Sequence, residues 1–108
     1  MLGYISEREF KLQFEDSFKR FFKPLCFHAM SFVKDADIAK DIVHDVFLTT
    51  WTQREKIDFT QPMLPYYLSL TRNRSLNYLD HLKVRARHEE NESYKNLLYA
   101  ETNYSEHE

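Results

Sequence analysis

The stretch "ADIAKDIVHDVFLTTWTQ", Ala36 to Gln53, decides the fold. On a wheel of 100° per residue, Ala39, Ile42, Val43, Val46 and Thr50 gather on one side, a core stripe that no glycine or proline interrupts. Asp35 and Asp37 in the preceding "KDAD" are N-cap candidates, because a short carboxylate accepts from the free N–H groups of a first turn. The pattern predicts a helix from about 36 to 53. A second apolar set lies nearly opposite: Leu48 and Trp51, flanked by Asp41, His44, Asp45 and Thr52. Either an N-terminal helix covers this pair, or it is the apolar centre of an acid-rimmed partner surface. In the second case the partner presents basic residues and an apolar ridge.

Upstream, Ser6 and Glu9 have capping-box spacing ahead of Phe10, Phe14, Phe18 and Phe21, which recur at helical intervals. A helix from about 7 to 22 is predicted. Pro24 suits the first turn of another, since a missing N–H costs nothing there, and "LCFHAMSFV" carries it to about Val33. Downstream, "REKIDFTQPMLP" loses periodicity and holds two prolines, so it reads as a loop. The last helix starts near Pro65 and runs to about Val84, with Leu68, Tyr78, Leu79 and Leu82 on one side. The expectation is an all-α fold: a compact bundle of about four helices over residues 1–88, then an acidic tail or linker over 89–108.

Composition agrees. A chain of 108 residues suits one domain, and 43% hydrophobic with nine Phe is enough for a packed core. One Gly and three Pro are too few for a many-turned β sandwich. Cys26 is the sole cysteine, so an internal disulfide and a Cys-rich zinc site are excluded; its apolar neighbours suggest a buried, inert thiol. No apolar run approaches the roughly 20 residues of a membrane helix, and "MLGYISEREF" has no secretory core. A soluble, cytoplasmic chain without membrane insertion is expected. His28, His44, His81, His88 and His107 form no metal-ligand pattern, and neither a phosphate loop nor a nucleophile motif occurs. No catalysis, metal or cofactor is expected.

Charge is uneven although the net value is only -2. Between Gln61 and His88, Arg72, Arg74, Lys83, Arg85 and Arg87 face only Asp80; beyond His88, six acids face Lys95 alone. Around "LTRNRSLNYL", Leu70 to Leu79, the residues Tyr66, Leu70, Asn73 and Asn77 share the side opposite the leucine stripe. The plainer reading is a solvated polar face. The sharper one is nucleic acid: amides read base edges, arginines neutralise phosphates, and aromatics stack on unpaired bases.

The order of segments closely resembles region 2 of the extracytoplasmic-function sigma factors, the promoter-recognition subunits of bacterial RNA polymerase. Two motifs carry the likeness, which spans roughly Phe14 to Arg87: "AKDIVHDVFLTTW" and "YLSLTRNRSLNYL", in this order and at this separation. The resemblance implies that Asp41, His44, Asp45, Leu48 and Trp51 dock on the clamp helices of the polymerase β′ subunit. It implies that the loop of about 53 to 64 and the helix carrying Tyr66, Arg72, Asn73, Arg74 and Asn77 engage the promoter −10 element through its non-template strand; Phe59, the loop's one aromatic, either contacts a splayed base or tucks into the domain. Lys83, Arg85 and Arg87 would contact DNA, the two arginines at phosphates. An anti-sigma factor is a further implied partner. The sequence departs from the family pattern where His44 stands for glutamine, Lys40 for an acid and Tyr66 for tryptophan. Region 4, the family's reader of the −35 element, is not encoded, so the chain is expected to be a fragment with weak promoter affinity of its own. The alternative is an all-helical interaction module that binds a regulatory partner and reads no DNA.

Overall fold

The structure, a computed structural model, describes residues 6–107, with side chains to residue 92. Three helices and one short turn make up these residues: α1, Glu7–Val33; α2, Ala36–Thr52; a single 3-10 turn, Arg54–Lys56; and α3, Leu64–His107. The chain divides after Asn77 into two units, the first holding α1, α2 and the start of α3, the second the remainder of α3.

Ser6 caps α1 as its spacing predicts, its hydroxyl accepting from the Glu9 N–H at 3.1 Å. The expected break at Pro24 does not occur. Instead of two helices there is one, because Phe10, Ser17, Leu25 and Ala29 are buried along one continuous register. Proline inside a helix costs about 3 kcal/mol, chiefly a missing hydrogen bond and a clash with the carbonyl four residues back. That carbonyl belongs to Arg20, which is exposed, as is Pro24, so water can take the place of the missing donor. Packing on both sides of the proline offsets the rest.

Lys34 ends α1 in the left-handed region (φ 57°), and its N–H donates to the Met30 carbonyl at 3.0 Å. Asp35 then caps α2, its carboxylate accepting from the N–H groups of Asp37 and Ile38 at 3.0 and 3.1 Å. These two residues alone turn the chain, and α2 returns against α1. Ala39, Ile42, Val43, Val46 and Thr50 are all buried, as the wheel places them, and Phe47 joins them.

Aromatic rings form the seam. Phe14 and Phe18 of α1 meet Phe47 at 6.0 and 5.0 Å between centroids, and Phe47 in turn meets Tyr67 of α3 at 4.8 Å. Tilted and edge-on pairs of this kind add about 0.5–1.5 kcal/mol each beyond burial.

The inner face of α3 in the first unit is not the expected leucine stripe. Tyr67, Thr71 and Ser75 are fully buried at successive spacings of four, whereas Leu68 is half-buried. Small hydroxyl side chains let the helix approach closely while Tyr67 supplies the apolar area. The hydroxyls of all three lack a hydrogen-bond partner among the described residues. In the second unit, Leu82 and Val84 are exposed, and helix continues to His107 through the residues expected to form an acidic tail or linker. Glu, Lys and Leu are good helix formers, no glycine or proline follows Pro65, and His88 pairs with Glu92 one turn on at 2.9 Å. Side chains 81–92 are all exposed, so this segment remains solvated although helical.

Candidate nucleic-acid interface and partner face

Residues 53–63 connect α2 to α3. Asp58 organises them: its carboxylate accepts from the Thr60 N–H at 3.0 Å and from the Thr60 hydroxyl, and these bonds hold its pKa below the usual carboxylate value. Phe59, expected either to tuck into the domain or to contact a splayed base, lies in the core at 8% exposure, edge-on to Phe10 at 4.5 Å between centroids. It anchors the loop and is not available to a splayed base in this arrangement.

Within the first unit, α3 presents Asn73 and Asn77 to solvent. They lie on the side of the helix opposite Tyr67, Thr71 and Ser75, since residues two and six positions from Thr71 fall on its far side at 100° per residue. Tyr66 and Leu70 share that outer face, both half-buried, with the Tyr66 ring edge-on to Tyr67 at 5.5 Å. The fully buried Tyr67 thus fixes the rotation of the helix that carries the amides. Burial pushes its phenol up to about 12; the nearby Ser17 hydroxyl opposes this only in part and is outside hydrogen-bonding geometry.

The two arginines of this helix separate. Arg72 is exposed, and no ion pair engages it among the described residues. Arg74, also expected at DNA, turns inward to α2: it meets the Asp45 carboxylate at 3.3 Å and donates to the Thr49 hydroxyl at 3.0 Å. Asp45, expected to face a partner, is thereby engaged within the fold. Each is the other's counter-ion, on different helices, and the pair links α3 to α2.

The partner face of α2 is likewise divided. Asp41, His44 and Leu48 are exposed at helical spacings of three and four, and Leu48 is 62% accessible. The His44 ring lies 4.9 Å from Phe22 and 6.1 Å from Phe18, between centroids, which gives it an aromatic backing on α1. Trp51 departs from this set. It is half-buried against Phe10 and Phe14 at 5.3 and 5.2 Å, and the Arg54 guanidinium covers its ring at 4.7 Å. Of the two readings of the Leu48 and Trp51 pair, coverage by the N-terminal helix holds for Trp51 and not for Leu48.

In the second unit Lys83, Arg85 and Arg87 are exposed. Lys83 and Arg87, four apart, share a face; Arg85 lies on the other side of the helix. Sequence reasoning misses Tyr67, Thr71 and Ser75. Their spacing of four is a usable signal, but hydroxyl residues do not register in an apolar pattern.

Among the described residues no helix is long and apolar enough to cross a membrane. No curated protein and no solved structure matches the chain. One family does, sigma-70 region 2, over residues 18–85, which takes in most of α1, all of α2 and the part of α3 that bears both asparagines. With that match extending over more than half its length, the chain belongs to the sigma-70 region 2 family.

Proposed function

We propose that this chain acts as the −10-reading domain of a sigma factor of the extracytoplasmic-function type. Membership of the family implies binding to core RNA polymerase and to promoter DNA, and supports reading the protein as a non-catalytic component of transcription initiation. The finer assignment concerns which residues do this. On the polymerase side, Asp41, His44 and Leu48 form the contact with the β′ clamp helices. Trp51 supports them from behind, and Asp45, paired with Arg74 through one oxygen and still half-exposed, can offer its other oxygen to the partner. On the DNA side, Asn73 and Asn77, with Tyr66 beside them, take unpaired bases of the non-template strand. Arg72, Lys83, Arg85 and Arg87 neutralise phosphates.

The observation that carries the reading is the outward placement of Asn73 and Asn77 opposite a helix face that is wholly buried. Asparagine is a poor helix former, so propensity gives no reason for two of them at this spacing. Amides that face solvent from a fixed helix can donate to and accept from base edges. Melting then needs no nucleotide hydrolysis by this chain, because capture of unstacked bases offsets the cost of opening the duplex. An anti-sigma factor would act by covering the α2 face or the α3 face.

The test is a titration against two single-stranded oligonucleotides, one −10-like and one altered, at several salt concentrations. Asn73→Ala should reduce discrimination between them and leave the salt dependence alone, because an amide carries no charge. Arg85→Ala or Arg87→Ala should weaken both alike and make the salt slope shallower by about 0.7 for each phosphate no longer neutralised. Equal behaviour of the two mutant classes would refute base reading by α3 and leave a nonspecific cationic patch, or the interaction module without DNA.

A further inference from the structure

Beside the α2 partner face, a groove of about 250 Å³ runs between the second half of α1 and the start of α2. Lys23, Cys26, Phe27 and Met30 line one wall at helical spacings, and Ala36 and Lys40 line the other. The floor is apolar, formed by small or flexible groups. Phe27 stands at its edge 67% exposed, an aromatic left in water beside a cleft large enough for one bulky side chain. The two lysines are exposed, and no carboxylate contributes to the lining. Lysine stems can lie along apolar surface while their ammonium groups stay in water, so both charges sit at the rim of the cleft.

We propose that this groove is a second docking site, which takes an acidic amphipathic helix of a partner protein: one large apolar side chain enters between Phe27 and Met30, and flanking carboxylates meet Lys23 and Lys40. Charge decides the chemistry of the occupant. The neighbouring stripe of α2 carries Asp37 and Asp41 and suits a basic partner, whereas the groove carries two lysines and no acid in its lining. A single partner surface of one sign cannot satisfy both, so the groove serves a partner, or a separate segment, distinct from the one on the α2 stripe. Its occupancy is independent of which residues read the promoter.

Cys26 supplies the reporter. It is the only cysteine, half-buried in the groove wall, with its thiol pKa raised by burial and lowered in smaller part by Lys40. The rate of its reaction with a maleimide in the full chain reads occupancy directly. The probes are two helical peptides of identical apolar residues, one with glutamates flanking a central leucine and one with lysines. The glutamate peptide should slow labelling at a concentration roughly tenfold below that needed by its lysine counterpart, as two screened ion pairs at a partly exposed rim allow. Lys23→Glu with Lys40→Glu should invert the preference, and Phe27→Ser should abolish protection by either peptide, with helical content unchanged. Protection that ignores peptide charge, or no protection by either peptide, would overturn the proposal. So would labelling that slows with protein concentration alone, because the occupant would then be a second copy of this chain.

Discussion

Replacing Tyr67 with phenylalanine removes one oxygen from a fully buried site in which that oxygen has no hydrogen-bond partner among the described residues. The ring contacts with Phe47 and Phe21, at 4.8 and 5.9 Å, are kept. A buried polar group left unsatisfied costs about 1–3 kcal/mol, so Tyr67→Phe should be neutral or stabilising by about 1 kcal/mol near neutral pH. The larger effect is at alkaline pH. An unfolded tyrosine ionises near 10, whereas Tyr67 in the fold does so at about 12. Its folded pKa is raised, so the stabilisation is fully present below about pH 10 and is lost as pH rises towards 12, where the unfolded chain has released a proton that the folded chain retains. At about 1.4 kcal/mol per unit, that window is worth roughly 2–3 kcal/mol. Urea unfolding followed by circular dichroism, at about pH 7 and about pH 12, measures both effects. The parent should lose roughly 2–3 kcal/mol more than Tyr67→Phe between the two conditions, other titrations being common to both. Destabilisation by more than about 1 kcal/mol in Tyr67→Phe at neutral pH would refute the reasoning, since the hydroxyl would then have a partner.

Two further outcomes separate packing from partner binding. Trp51→Ala should destabilise by about 2 kcal/mol, below the roughly 3–5 typical of a full cavity because the indole is only half-buried; Leu48→Ala should leave stability within about 0.5 kcal/mol yet weaken binding to core polymerase in a pull-down. If Trp51→Ala keeps full stability and fails to bind polymerase, the indole is an interface anchor. A double-mutant cycle of Asp45→Ala with Arg74→Ala, read by thermal unfolding, should return a coupling of about 0.5 kcal/mol, as suits a pair more than a third exposed. A coupling of zero would leave Arg74 free for phosphate.

The α2 helix is legible in the sequence nearly to the residue because its signals agree: an aspartate at the cap, a stripe at the right period and no breaker inside. Pro24 misleads because a local rule there competes with packing and loses. The buried register of Phe10, Ser17, Leu25 and Ala29 passes straight through the proline, and one exposed carbonyl is a small penalty against it. In α3 the leucines draw attention from the true inner face, since apolar periodicity is blind to a close-packed seam of Thr71 and Ser75. The exposure of Asn73 and Asn77 can nevertheless be read from the sequence. The ion pair of Arg74 and Asp45 is beyond such reading, because nothing local links two charges on different helices. Trp51 and Phe59 show the same limit: each aromatic has two possible homes, and only the position of Phe10 decides between them.

The two-residue connection at Lys34 and Asp35 also bears on the order in which the molecule assembles. Closing so short a loop carries little entropy cost, and the phenylalanine seam it brings together lies within a contiguous stretch of chain. The α1 and α2 hairpin is therefore the natural nucleus, already available as a nascent chain emerges past Thr52. The helix bearing the asparagines should then dock later, over a longer connection, since two of its three innermost side chains are small hydroxyls and gain less from collapse. Substitutions at Thr71 or Ser75 should on that account hasten unfolding and scarcely slow folding, whereas those at Phe14 or Phe47 should do both.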